Sequence, residues 1–227
     1  MSKLADELRQ PAHAWLVAVY RILFALLEGS LPEAELGVEA ARTLGERAQR
    51  WNASVTYRLQ LYLLRREQGR LDEVADLVRA SVRAYPSYPI WSCVLAQMAA
   101  ELGHTREAAG VLRAIAADGF SKLPFDEEWL VSMSLLAETA ARVGDAERAA
   151  EIHERLRPYS DRIAVSLPEV SVGAVARYLG LTATTMMRWD DAERYLRSAQ
   201  EIHARIGARP WLSRTSDDYA RMLQARP

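Results

Sequence analysis

Apolar residues recur along this chain at helical spacing in paired stretches, and each pair is divided by one short polar phrase. The phrase reads GSLPEAE from Gly29, GRLDEVA from Gly69, GHTREAA from Gly103, GDAERAA from Gly144 and MRWDDAE from Met187. Its recurrence is the mark of a repeat architecture. No segment shows sustained strand alternation, so the expected class is all-α. First-of-pair helices are predicted near 12–28, 52–68, 89–102, 126–143 and 170–187. Their partners fall near 31–49, 71–84, 105–117, 146–157 and 190–206, and a last helix near 210–225 stands alone. About five helical hairpins and a capping helix make one solenoid domain over 1–227, with repeats at 12–49, 52–84, 89–117, 126–157 and 170–206.

The phrase has a physical sense. Glycine takes the left-handed conformation that ends a helix without a Cβ penalty. An acid shortly afterwards sits in the first turn of the next helix, where free N–H groups and the positive dipole end favour it. Alanine then lets the two helices approach. Pro11, Pro89, Pro124, Pro168 and Pro210 come just before first-of-pair helices, where a missing N–H costs nothing. Asp190 and Asp191 are adjacent carboxylates, but they occupy the slot that Asp72, Glu73 and Glu107 fill elsewhere, which is a helix start rather than an acid–base pair.

The last repeat fits the tetratricopeptide pattern best, through Leu179-Gly180, Trp189, Ala192, Leu196 and Ala199, and Pro86 matches it at the end of the second. The words ARYLG, RWDDAE, IGARPW and DYARML, with LYLLRREQGRL at 61–71, go further. Through them most of the chain resembles the tetratricopeptide-like C-terminal region of large actinobacterial ATPase-type transcriptional regulators and cyclase-associated signalling proteins. The resemblance implies an α-solenoid fold and a regulatory, cytoplasmic setting. No Walker-type phosphate loop occurs in the sequence, so nucleotide hydrolysis does not carry over. Nor do the cyclase or DNA-binding modules, and the chain reads as an excised or stand-alone version of the repeat region.

Composition narrows the function classes. Half the residues are hydrophobic and the net charge is −1, so no global field draws nucleic acid or an anionic membrane. The lone Cys93 excludes an internal disulfide, and no Cys/His cluster has zinc spacing, so neither metal nor cofactor is expected. The apolar run from Ala14 to Leu27 is broken by Arg21 and is too short to span a bilayer. A cytoplasmic location follows as the expectation. His153 and His203 share the context Glu-Ile-His in adjacent hairpins and read as packing histidines, although that placement allows them to approach each other.

Projecting the first helices from their turn residues places a set of side chains on the inner, concave surface. They are Arg66, Cys93, Gln97, Ser134, Glu138, Arg142, Arg177, Thr184 and Thr185, with Trp91 and Trp129 as candidate aromatic walls. The first reading is a non-catalytic module that binds a protein partner along this groove. Self-association through terminal repeats belongs to the same reading, since Val19, Tyr20, Leu23 and Leu27 have no upstream hairpin to cover them unless residues 1–10 do so. The alternative is a small-molecule sensor or specialised-metabolism enzyme, closed by the junctions 117–125 and 157–167. Glu138, Arg142, Arg177 and Tyr178 are its acid–base candidates, provided that burial raises the Glu138 carboxyl.

Overall fold

The computed structural model describes residues 11–48 and 50–227, with the side chains of 47–51 outside that description. The described residues are mostly helical: eleven α-helices, two 3-10 turns and one antiparallel pair of strands. The helices are α1 (Pro11–Glu28), α2 (Leu31–Ala48), α3 (Arg50–Glu67), α4 (Ala75–Ala84), α5 (Ile90–Glu101) and α6 (Thr105–Ala116). They continue with α7 (Trp129–Val143), α8 (Ala146–Leu156), α9 (Val175–Thr185), α10 (Trp189–Arg205) and α11 (Arg209–Ala225). A 3-10 turn at Leu71–Val74 precedes α4, where one continuous helix over 71–84 is predicted.

The hinges behave as their chemistry demands. Gly29, Gly69, Gly103 and Gly144 have φ of 81, 68, 79 and 71°. Gly144 N–H donates to the Ala140 and Ala141 carbonyls, closing the end of α7. Met187 adopts the same left-handed conformation at φ 59° despite its Cβ. Acids open the helices that follow: Glu33 in α2, Glu107 in α6, Glu147 in α8, and Asp190 and Asp191 in α10.

Two departures from the sequence reading reshape the centre. The predicted helix over 170–187 begins with a strand, β2 (Val170–Ala174), and only then becomes α9. The junction 157–167, expected as a lid, holds a 3-10 turn and β1 (Ile163–Ser166), which pairs with β2 through Ile163↔Ala174 and Ser166↔Val170. Short β-branched alternation on either side of Leu167-Pro168-Glu169 makes this hairpin. It does not cover a groove but enters the core, where β2 contacts α1, α3, α7 and α10. Val170 and Val172 face Leu59, Tyr62, Val131 and Leu135 across a residual void of 10 Å³. The middle of the expected concave surface is therefore plugged by the chain itself.

The last helix also does more than cap. Along α11, Trp211, Thr215, Asp218 and Met222 form one buried face at helical spacing. Its start returns to the first helix, since Arg209 Nε donates to the Glu28 carbonyl at 2.9 Å and Pro210 lies against Gly29. By length and composition α1 is apolar enough to cross a membrane, yet Trp15, Val19, Ile22, Leu23, Ala25 and Leu26 are buried in the core. Val19 and Leu23 are buried, and α2, α3 and β2 pack against α1. Tyr20 and Leu27 are half-buried, and the exposed apolar residues at this end are Leu16, Phe24 and Leu36. Residues 1–10, the expected alternative cover, lie outside the described residues.

Candidate functional site

Helices α3, α5, α7, α9 and α11 bring charged side chains together beside Trp211. Arg66 lies in the last turn of α3, Glu101 ends α5, and Glu138 and Arg142 stand one turn apart near the end of α7. Arg66 Nη2 donates to Glu138 Oε1 at 2.6 Å and Arg66 Nε to Glu101 Oε2 at 2.8 Å. Arg177 on α9 donates through Nη1 to Glu138 Oε2 at 3.4 Å and through Nε to Asp218 Oδ2 at 2.7 Å. Asp218 accepts in turn from Arg221. On the other side Arg214 pairs with Glu101 at 3.5 Å and with Glu67 at 3.0 Å. Eight side chains thus alternate in sign from Arg221 through Asp218, Arg177, Glu138, Arg66, Glu101 and Arg214 to Glu67. Arg142 adds a further guanidinium, 3.3 Å from Glu138 and 3.5 Å from Glu101.

The arrangement is buried at its middle and open at its ends. The side chains of Arg66 and Glu138 retain 0% and 2% of their exposure, whereas Arg142 keeps 36% and Arg221 66%. The guanidinium carbons of Arg66, Arg177 and Arg214 lie 5.7, 6.0 and 6.0 Å from the Trp211 ring centroid. Arg66 Nη1 is buried without a hydrogen bond, and the negative ring face helps to satisfy its charge.

Burial alone would raise the Glu138 carboxyl, but Arg66, Arg177 and Arg142 outweigh it and hold the group well below the usual carboxylate range. Burial likewise opposes charge on Arg177, and Glu138 and Asp218 overcome it. The condition for acid–base work at Glu138 is therefore reversed: the carboxylate stays ionised and paired. Tyr178 is fully buried and donates to the Val172 carbonyl at 2.5 Å, and its desolvated phenol is pushed up. It anchors the β-hairpin and faces no cleft.

Of the other predicted groove residues, Gln97 joins the cluster, donating to Glu101 at 2.5 Å and accepting from Tyr62. Trp91, Cys93 and Ser134 do not line a groove: they keep 1%, 0% and 0% of their surface because neighbouring helices close over them. Burial pushes the Cys93 thiol up to about 12, which leaves it a weak nucleophile. Trp129 is half-buried in a surface trio with Phe125 and Tyr159, at ring separations of 5.0 and 5.5 Å. His153 and His203 do not meet. His153 bonds Thr182 at 2.9 Å, and His203 bonds Thr215 at 3.1 Å and accepts from Ala174 N–H at 2.7 Å. Asp191 accepts from Arg188 at 2.9 Å and from Arg194 at 2.6 Å, local pairs at a helix start.

A groove of 490 Å³ opens between α7, α9 and α11. Glu138, Arg142, Arg177, Asp218 and Arg221 line it, with Thr184 and Thr185 on the α9 side and Leu181 and Met222 as apolar floor. Glu67, Glu101, Arg214 and Asp218 escaped the sequence reading because each finds its partner on another helix. Asp218 was recoverable in part, standing one helical face along from Trp211 and Thr215.

A second feature lies at the tip of the β-hairpin. Glu169 accepts from Thr56 at 3.1 Å and from Ser166 at 3.2 Å, and burial raises its carboxyl. Burial and the nearby Glu169 push Glu128 up to about 7. Beside them an open cleft of 380 Å³ is lined by His13, Trp15, Tyr88, Glu127 and Glu169. Among the described residues no group of three or more His, Cys, Asp or Glu is placed to hold a metal ion. No family model, no curated protein and no solved structure matches the chain.

Proposed function

We propose that this chain is a tetratricopeptide-like helical-repeat module that binds a partner protein in the groove between α7, α9 and α11. The observation that carries the reading is the charged row on the groove floor, set in an apolar surround and held rigid by its own ion pairs. A preorganised polar floor of this kind favours recognition over proton transfer, because its two buried carboxylates are both committed to arginines, Glu138 to three and Asp218 to two. Repeat character is supported by the five left-handed hinges and by Gly180, where an added Cβ would lie 2.5 Å from Leu196 Cγ, so that α9 and α10 touch. It is supported again by the His153–Thr182 and His203–Thr215 pairs, made by the same residue types in successive hairpins.

A photo-crosslinking residue at Thr185, on the groove rim, tests this when compared with one at exposed Arg113 on α6. In cells of the native host, a discrete protein adduct is expected from position 185 and none from 113. Equal adducts from both, or none from 185, would remove the reading.

A small-molecule reading draws on one different observation, the two raised carboxyls of Glu128 and Glu169 beside an aromatic-walled cleft. Native mass spectrometry would favour it if the purified chain retained a small ligand that Glu169→Gln released.

A further inference from the structure

The groove also carries information about what its partner looks like, and this inference rests on the interaction reading above. The row of side chains lining it runs Arg142, Glu138, Arg177, Asp218, Arg221. An odd number of alternating charges leaves both ends positive. Counting the whole cluster, five guanidinium groups face four carboxylates, since Arg66 and Arg214 add to the row's three and Glu67 and Glu101 to its two. The end residues are also the least used. Arg142 engages Glu138 and Glu101 through Nη2 alone, and Arg221 engages Asp218 through Nη2 alone. Their remaining N–H donors stand at the groove edge, where a planar fork matches a carboxylate.

The space between the two arginines has its own chemistry. Thr184 and Thr185 donate their hydroxyl protons to the Gly180 and Leu181 carbonyls, each at 2.9 Å. Each therefore has only lone pairs left to offer a partner's N–H. Leu181, Met222 and Ala141 supply an apolar floor. A basic segment would meet an arginine at either end. A polyphosphate chain would find a single excess positive charge and two carboxylates, Glu138 and Asp218, along the row, too little for counterion-driven binding.

We infer that the groove takes an acidic segment of its protein partner, with one side-chain carboxylate received by Arg142, another by Arg221, and an apolar side chain between them seated on Leu181. The binding is salt-dependent, because both receiving arginines are partly solvated.

Fluorescence anisotropy with the full chain tests it, using a dye-labelled peptide of alternating Glu and Leu, acetylated and amidated so that only side-chain carboxylates are present. Versions with Gln or Lys in place of Glu provide the comparison. The Glu peptide binds, the Gln peptide binds about tenfold or more weakly, and the Lys peptide does not bind. Arg221→Glu, at a mostly exposed position, weakens the Glu peptide by about tenfold or more, and Arg113→Glu leaves it unchanged. Thermal melts confirm that both variants are folded. Equal binding of the Glu and Gln peptides, indifference to Arg221→Glu, or no binding of the Glu peptide overturns the inference. If Glu and Gln peptides bind alike and Leu181→Asp abolishes both, the groove docks a partner without reading its charge, and the interaction reading survives alone. If no peptide binds and position 185 also yields no adduct, both fall.

Discussion

Glu138 accepts from three guanidinium groups while almost none of its surface reaches water. A buried pair is costly to break because the surviving charge is stranded. Glu138→Gln would leave Arg66 and Arg177 facing a neutral amide, and a loss of about 3–5 kcal/mol in urea denaturation is expected. A loss under about 1 kcal/mol would mean that water already solvates this centre. His203 makes a pH-dependent prediction. Ala174 N–H occupies Nε2, so the ring is neutral, and burial followed by Arg177 lowers its pKa to about 4. The unfolded ring titrates near 6.5, so between those values the unfolded chain binds more protons. The contribution is whole above about pH 6.5 and is lost as pH falls toward about 4. Glu128 acts in the opposite sense: raised to about 7, its buried neutral form favours folding at low pH, and that contribution is lost as pH rises through about 7. Between about pH 4.5 and 6.5 the two groups act in opposite directions, so the slope of the urea midpoint against pH should fall in His203→Gln and rise in Glu128→Gln. Unchanged profiles would show that neither group is desolvated as described.

At the scale of elements, the β1–β2 hairpin replaces an expected lid with a structural plug, and Gly173 decides whether it fits. Its φ is +82°, and an added Cβ would lie 2.6 Å from His203 Nε2 and 3.0 Å from Trp211 Cγ. Gly144 has a similar φ of +71° but open space around it. Alanine at 144 is expected to cost about 1 kcal/mol, the strain of the left-handed conformation alone. Alanine at 173 adds a steric conflict with two packed rings and should cost about 3 kcal/mol or more. Thermal unfolding of the two variants separates backbone strain from packing, and equal losses would show that the hairpin shifts freely to make room. The hinge at Met187 supports the same view from the other side. It reaches the left-handed conformation without glycine, so the helix pair on either side holds the turn.

For the whole molecule, the most consequential contacts join segments far apart in sequence. Arg214 on α11 reaches Glu67 on α3, and Arg209 reaches the end of α1, so the last helix closes on α1 and α3. An open array with only nearest-neighbour contacts would lack such closure. A double-mutant cycle with Glu67→Gln and Arg214→Gln should give a coupling energy of about 1 kcal/mol, since Glu67 keeps 7% of its side-chain exposure and Arg214 22%. A coupling indistinguishable from zero would make the closure a contact of convenience, with Trp211 carrying α11 alone.

The sequence by itself determined what depends on neighbours within a turn or two. Helix positions followed from apolar periodicity, hinges from glycine followed by an acid, and helix starts from Asp190, Asp191 and their counterparts, because each rests on local backbone sterics and hydrogen bonding. Helical projection even placed Arg66, Gln97, Glu138, Arg142 and Arg177 on one inner surface, and the structure unites them. The tertiary structure alone decided what fills that surface. Strands of four and five residues leave too short an alternation to separate from helical runs, so the hairpin stayed hidden. Trp91, Cys93 and Ser134 share the projected face yet lie under neighbouring helices. Glu101, Arg214 and Asp218 became visible as partners only once α5, α7, α9 and α11 had packed. Charge pairing acts through space, and no local pattern records which distant helix will supply the opposite sign.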